Sequence, residues 1–301
     1  MILQHRLALA LTLALTTAAA HADPVVYVLN DTAQFGTVDL GTGAFIPIGS
    51  GIPVGGTGLV PGSAGSFLTL TFTGDINSIN RTTGVASLVG ATGLADCSLP
   101  SSPCGLHSAN VLGRLGANLY VTDFAQNLYS IDPATGHATL IGATGIPAVT
   151  FIPHDTVPGD PDSIYIYDEA MFSSGGNLYM GFDTGTLDLT TFTPTPVIAP
   201  ELYQINPITG AAMPITAIPF GLAAINDVNG TVYAFDLPAN QVVTLNLSNG
   251  NINVVSDLDP AAGLINGAAA SPVPEPTSLA LVGTGLAAFA AGIRRRYLPR
   301  F

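Results

Sequence analysis

The chain has no lysine and no tryptophan, and only 9% of its 301 residues are charged. Of its 7 basic residues just Arg81 and Arg114 lie between Asp23 and Pro276, the stretch that holds all 20 acidic ones. That balance excludes nucleic-acid binding, which needs Lys and Arg to neutralise phosphates. It would equally repel an anionic polysaccharide unless divalent cations bridged the two. The missing tryptophan removes the flat indole platforms common in sugar sites. Glutamate is scarce as well, with only Glu169 and Glu201 ahead of the C-terminal tail. Few charges beside 34 Gly and 23 Pro would suggest disorder, but the apolar fraction of 48% is too high and too regularly placed for that.

The regularity is an internal repeat. Five times an apolar residue precedes Asp or Asn, with glycine four positions after it: Val38-Asp39 with Gly43, Ile79-Asn80 with Gly84, Ile131-Asp132 with Gly136, Ile205-Asn206 with Gly210, and Leu245-Asn246 with Gly250. Asx side chains bond the amides of a turn and glycine accepts the positive φ that closes a hairpin, so these residues predict hairpin tips rather than chemistry. A second register sits 16 residues before the glycine, at Tyr27, Leu68 and Tyr120, and 17 before it at Tyr233. The equivalent Tyr179 is 31 residues ahead of Gly210, which places an insertion at about residues 184–199, rich in Thr and Pro. Each unit reads as a strand around the tyrosine, a strand into the turn and a strand after the glycine, opened by an apolar segment such as residues 221–225.

Four strands per unit, with turn glycines 41, 52, 74 and 40 residues apart, predict an all-β chain folded as a β-propeller of five blades. The first unit lacks its opening strand, and residues 263–270 supply a spare one. Donating it to the blade of Tyr27 would close the ring with strands from both ends and remove an open edge. A sixth blade remains compatible with the length of residues 146–174.

Both ends of the chain read as addresses. Arg6, the apolar residues 7–15 and the Ala20-His21-Ala22 cleavage pattern make residues 1–22 a signal peptide for signal peptidase, leaving a body over 23–271. At the other end Val273-Pro274-Glu275-Pro276 precede an uncharged apolar run, 277–293, and then Arg294, Arg295 and Arg296. As a helix that run spans roughly 25 Å at about 1.5 Å per residue, enough for a transmembrane segment whose arginines snorkel to the headgroups. The positive-inside rule keeps the arginines cytoplasmic and everything before them outside the inner membrane.

This order of motif, short apolar helix and basic end over 272–301 resembles the PEP-CTERM sorting signal of Gram-negative bacteria. The resemblance implies an exosortase as processing partner, export to the cell envelope or extracellular matrix, transient or lasting anchorage in the inner membrane, and a link to biofilm or extracellular polysaccharide. It implies nothing about the body, because such tails are attached to unrelated domains.

Within the body the densest polar cluster is His154, Asp155, Asp160, Asp162, Asp168 and Glu169. Oxygen ligands at uneven spacing suit Ca²⁺, so Asp155, Asp160, Asp162, Asp168 and Glu169 form a candidate calcium set. Their spacing is not that of an EF-hand, and a solvated acidic loop is the preferred reading. Glycoside-processing chemistry needs two carboxylates flanking one bond, and no framed pair stands out. There is no Gly-x-Ser-x-Gly elbow, and His107, His137 and His154 lack a partner motif. His137 follows a turn glycine at a position held by Ala44, Val85, Ala211 and Asn251 in the other units, a variable hairpin position. The lack of tryptophan also removes the signature of quinone-dependent propeller dehydrogenases. The body therefore reads as a noncatalytic exported binding or scaffold protein without a catalytic set, with exopolysaccharide or a surface protein as its partner. The alternative is an exported polysaccharide hydrolase or lyase using Asp155, Asp168 or Glu169 as acids.

Export places Cys97 and Cys104 in an oxidising compartment, where a disulfide across their short loop is allowed and would stabilise by roughly 2.5 kcal/mol. A zinc site is the weaker reading, since no histidines stand at ligand spacing. Mass spectrometry of the unreduced exported protein should find Cys97 and Cys104 joined, and two freely alkylated thiols would rule the bond out.

Overall fold

The computed structural model describes residues 24–52, 56–63, 65–94, 109–148, 156–157, 159–188, 190–191 and 193–270. They form five antiparallel sheets arranged as the blades of a propeller. Blade one consists of β21 (Ile265–Ala270), β1 (Val25–Asn30), β2 (Phe35–Asp39) and β3 (Phe45–Pro47). Blade two is β4 (Gly56–Pro61), β5 (Ser66–Thr71), β6 (Asp75–Asn80) and β7 (Ala86–Ala91). Blade three is β8 (Ala109–Leu115), β9 (Asn118–Asp123), β10 (Asn127–Ile131) and β11 (Ala138–Ala143). Blade four holds β13 (Asp160–Ser174), β14 (Asn177–Asp188), β15 (Thr193–Ile205) and β16 (Ala212–Ala217), with the two-residue β12 (Thr156–Val157) added beside β13. Blade five is β17 (Leu222–Val228), β18 (Thr231–Asp236), β19 (Gln241–Leu245) and β20 (Ile252–Asp257).

The innermost strands β21, β4, β8, β13 and β17 each touch the next around a closed circle. The spare C-terminal strand does complete the first blade: Val26 pairs with Ala270, Tyr27 with Ala269 and Val28 with Ala268. The described part of 146–174 contributes β12 and β13 to blade four, and the described residues close the ring with five blades. Small residues let the inner strands approach closely. A side chain on Gly267 would meet the backbone of Gly58 and Leu59 at 2.7–2.8 Å, and one on Gly58 would meet the Leu112 backbone at 2.6 Å.

Alternation along a strand sends successive side chains to opposite faces, and here each face meets a neighbouring blade. In β9, Leu119 and Val121 join Leu70 and Ile76 of blade two, while Tyr120 joins Met180 and Phe182 of blade four. Five hydrophobic clusters result, one at each blade–blade contact. Between blades one and two, Tyr27 and Phe67 lie 4.6 Å apart, with Phe35 6.0 Å from Phe67. Each fully buried side chain of this size stabilises the fold by about 2–3 kcal/mol.

The five Asx turns form as their sequence pattern predicts. Asn80 Oδ1, for example, accepts from the amides of Thr82 at 2.9 Å and Thr83 at 3.0 Å, and Gly84 N donates to Asn80 O at 2.9 Å. The turn glycines have a second task that the pattern did not reveal. Each has positive φ, and each lies against the outer strand or strand end of the preceding blade, where an added Cβ would sit no more than 2.7 Å from a backbone atom. Gly84 meets Ile48, Gly136 meets Gly90, Gly210 meets Gly142, Gly250 meets Ala217 and Gly43 meets Asp257, so the contacts run once around the rim. Backbone bonds from Ala138 N to Thr92 O at 2.9 Å and from Ala212 N to Thr144 O at 2.8 Å fix the same junctions.

One local reading is corrected. Asp160, Asp162, Asp168 and Glu169 belong to β13 and not to a solvated loop. The Ile164-Tyr165-Ile166-Tyr167 run between them is strongly strand-forming, and it outweighs the Asp and Pro content that suggested a loop. The insertion at 184–199 likewise extends a hairpin, since β14 and β15 pair from Asp188 and Thr193 down to Leu178 and Ile205.

Gly136→Ala should therefore cost about 2–4 kcal/mol, the left-handed penalty of an alanine plus displacement of the Gly90 backbone. Gly116→Ala, also at positive φ but with nothing within 4 Å of its Cβ, should cost only about 1 kcal/mol. Chemical denaturation of the two variants checks the difference, and equal losses would show that the rim contact contributes nothing.

Candidate binding face

Strand direction assigns every turn to one of two faces. Turns between the first and second strands of a blade, at 61–66, 115–118, 174–177 and 228–231, lie on one face. The body's ends are there too, because β1 starts at Val25 opposite Asp39 and β21 ends at Ala270 opposite Val26. Turns between second and third strands, at 30–35, 71–75, 123–127 and 236–241, lie on the other face. They are shaped by a polar residue three positions after the tyrosine register. Asn30 Oδ1 accepts from Gln34 N at 2.7 Å, Thr71 Oγ1 from Asp75 N at 3.1 Å, Asp123 Oδ1 from Asn127 N at 2.7 Å and Asp236 Oδ1 from Ala239 N at 3.0 Å. This third register was present in the sequence beside the other two and was missed.

Among the described residues blade four alone rises above that second face. Where β9 runs six residues, about 20 Å, β14 runs twelve, about 40 Å. The resulting arm has specific supports. Asp183, 2% exposed, accepts from the Gly221 amide at 2.8 Å and ties the arm's base to the entry of blade five. The Phe220 ring lies against Gly185, where an added Cβ would come within 2.9 Å of it. At the tip Asp188 Oδ1 accepts from Thr190 N at 2.7 Å, Thr190 Oγ at 2.6 Å and Thr191 N at 3.0 Å. Those bonds, the Thr190 hydroxyl first, hold the carboxyl down at about 2, well below the usual range. Along the outer edge β15 pairs with β16 only from Glu201 to Ile205, and the unpaired stretch carries Pro194, Pro196 and Pro200. A proline there offers no amide, so the edge cannot zip onto another strand.

The two faces differ in charge. Asp31, Asp75, Asp160, Asp162, Asp188 and Asp236 lie on the arm-bearing face, whereas both arginines of the described body lie on the opposite one, where they offset Asp39, Asp132 and Asp227. Arg81 N donates to Gly65 O at 2.9 Å, and Arg114 bonds the carbonyls of Pro61 and, at 2.7 Å, Gly116.

The centre of the ring is filled. Its cavity encloses about 10 Å³, room for a single water, and is lined by Gly58, Leu59, Val111, Leu112, Ala170, Met171, Ala224, Ile225, Gly267 and Ala268 together with Asn266 and one carboxylate, Glu169. Glu169 joins blade four to blade three. It accepts from Asn110 Nδ2 at 2.6 Å, from Gln126 Nε2 at 3.2 Å and from the Thr122 hydroxyl. Because these donors come from β8, β9 and the turn after β9, no local spacing pointed to them.

The candidate calcium residues do not converge on this cavity. Asp162 and Asp160 are on the arm, about 23 Å and about 30 Å along β13 from Glu169 at a strand's rise, and Asp168 pairs across the strands with Asp183. Among the described residues no group of three His, Cys, Asp or Glu side chains is placed to hold a metal. Asp155, His107, His154, Cys97, Cys104, the signal peptide and the tail with Val273, Pro274, Glu275, Pro276 and Arg294 to Arg296 lie outside the described residues. His137 is an exposed residue following an outer turn, as its variability among the repeats predicts. Among the described residues no helix is long and apolar enough to cross a membrane.

Residues 272–296 match the PEP-CTERM protein-sorting motif. The motif implies export, C-terminal sorting to the cell envelope and processing by an exosortase. No curated protein matches the chain. Among solved structures, one from a nidogen/laminin complex is 10% identical over 82% of this chain and 97% of its own, at a TM-score of 0.47. A protein of unknown function from Bacteroides thetaiotaomicron is 12% identical over 78% of this chain and 56% of its own, also at 0.47. A PQQ-bound aldose sugar dehydrogenase from Streptomyces coelicolor is 12% identical over 71% and 84%, at 0.38. Likeness at this level leaves function to be argued from this chain's own residues.

One buried contact on the arm-bearing side gives a pH signature. The Tyr129 hydroxyl donates to Asp123 Oδ2 at 2.9 Å, and burial together with that carboxylate pushes the phenol up to about 12. Tyr203 is raised further by burial and by Glu201. A phenol raised in the folded state contributes stability below its ordinary value near 10, and that contribution is lost as pH climbs from about 10 through about 12. In an alkaline absorbance titration these two tyrosines should ionise last, and Tyr129→Phe should remove one late step. Ionisation of every tyrosine together near pH 10 would contradict the Asp123 contact.

Proposed function

We propose that the protein is a noncatalytic, exported binding or scaffold protein of the cell envelope that presents the arm of blade four and the acidic face around its base to a partner. The observation that carries this reading is the contrast between a filled centre and a built projection. In a propeller enzyme the reacting groups need room and a convergent pair of charges, whereas this cavity has room for one water and presents one carboxylate already engaged by three donors. The arm, by contrast, departs from the repeat, has its own anchors at Asp183 and Phe220, and has an edge that resists nonspecific strand pairing. An acidic face without arginine among its described residues suits a cationic protein surface, or an anionic extracellular polysaccharide bridged by divalent cations.

The test uses the soluble body and a variant in which residues 185–197 are replaced by a two-residue turn, which keeps the Thr184–Ile198 pair and the packing of Ile198. Both should show the same thermal unfolding, since the five interblade clusters are untouched. The body should bind an envelope polysaccharide or protein fraction in a salt-sensitive manner, and the shortened variant should lose at least tenfold in affinity, about 1.4 kcal/mol. Release of reducing or unsaturated ends from a polysaccharide by the native body, abolished in Glu169→Gln, would replace this reading with the hydrolase or lyase one.

A further inference from the structure

Both ends of the described body leave the ring on one face, and this has a consequence for how the precursor sits on a membrane. Ala270 is the last residue of the innermost strand β21 and pairs with Val26 near the start of β1. The sorting motif begins at residue 272, and the apolar run begins at Thr277, so six residues separate the ring from the bilayer-crossing segment. Six residues span at most about 20 Å even when fully extended. For the arm-bearing face to reach the bilayer, that tether would have to cross three strands outward, about 14 Å, and then climb the height of the ring, about 20 Å. It is too short to do so.

Charge favours the same placement. Arg81 and Arg114 both lie on the exit face, where they largely offset Asp39, Asp132 and Asp227, while the opposite face carries Asp31, Asp75 and Asp236 around the base of an acidic arm and, among the described residues, no arginine. Anionic headgroups would therefore repel the second face far more than the first.

We propose that, while the tail is inserted, the propeller rests with its exit face on the lipid headgroups and its arm pointing away from the membrane. The docking surface is the ring of turns at 62–63, 116–117, 175–176 and 229–230, and its partner is the lipid bilayer. This rests on the reading of residues 277–293 as a membrane segment. The binding face thus stays free before processing, and an exosortase has to reach a motif lodged between a folded ring and the lipid.

The experiment uses the full chain with Cys97→Ser and Cys104→Ser, reconstituted into vesicles of phosphatidylethanolamine and phosphatidylglycerol with an acceptor dye on a fraction of headgroups. Single cysteines carry the donor: Ser63→Cys and Asn229→Cys on the exit face, Ala239→Cys on the opposite face and Thr190→Cys at the arm tip. Energy transfer should be strong and similar from the first two, weaker from Ala239→Cys, and severalfold lower from Thr190→Cys than from Ser63→Cys. Two positions on each side protect the result against one misfolded variant. Equal transfer from all four positions, or the reverse order, in protein that floats with the vesicles overturns the orientation alone. A full chain that does not float with vesicles overturns the membrane reading of the tail and the orientation with it.

Discussion

Each blade of this protein buries both of its faces, and the rest of the structure follows from that constraint. A sheet exposed on one side can alternate apolar with polar residues; a sheet packed on both sides cannot. Strands such as Val232 to Phe235 and Leu119 to Val121 are therefore apolar without a break, and charge falls mainly in turns, at strand ends and on the arm, with Glu169 on innermost strand β13 the exception at the ring's centre. The low charge content is thus the mark of five separate interblade cores and not of a chain too simple to fold. It also explains why so few buried polar residues occur and why those that do, such as Thr122, Gln126 and Asp183, sit where blades join.

The repeat was legible because its signals are local. Asx and glycine at fixed spacing make a hairpin whatever surrounds them, and the tyrosine register marks the second strand of four blades. Blade number and strand exchange at the closure could be read from the same two registers, because a missing first strand and a spare last one are properties of the sequence. What the registers could not convey is which atoms meet across a junction. The turn glycines looked like turn formers only, yet each also touches the preceding blade. Glu169 looked like part of an acidic loop, yet its partners Asn110, Thr122 and Gln126 are 43 to 59 residues away. The Asp and Pro content around 160–162 was misleading for a related reason, since those residues flank a strand-forming run and do not replace it.

The candidate face was legible only in part. An insertion rich in Thr and Pro was visible, but that it would lengthen a hairpin, with prolines spaced along an open edge, depends on pairing that begins many residues away. The charge difference between the faces could not be read from composition at all. It appears once strand direction sorts each Asp and Arg to one end of the ring.

Closure by β21 also sets a timetable. Val26 meets Ala270 only after nearly the whole chain has been made, and bringing the ends of so long a segment together costs on the order of 5 kcal/mol of loop entropy. Until then β1 has no inner neighbour, and blades two to five can form only an open arc. The last strand to arrive lies directly before the sorting motif, so the ring can close only once the chain has emerged as far as that motif. The nascent protein is thus most vulnerable to misassembly during its passage outward, and least so once its final residues have caught up with its first.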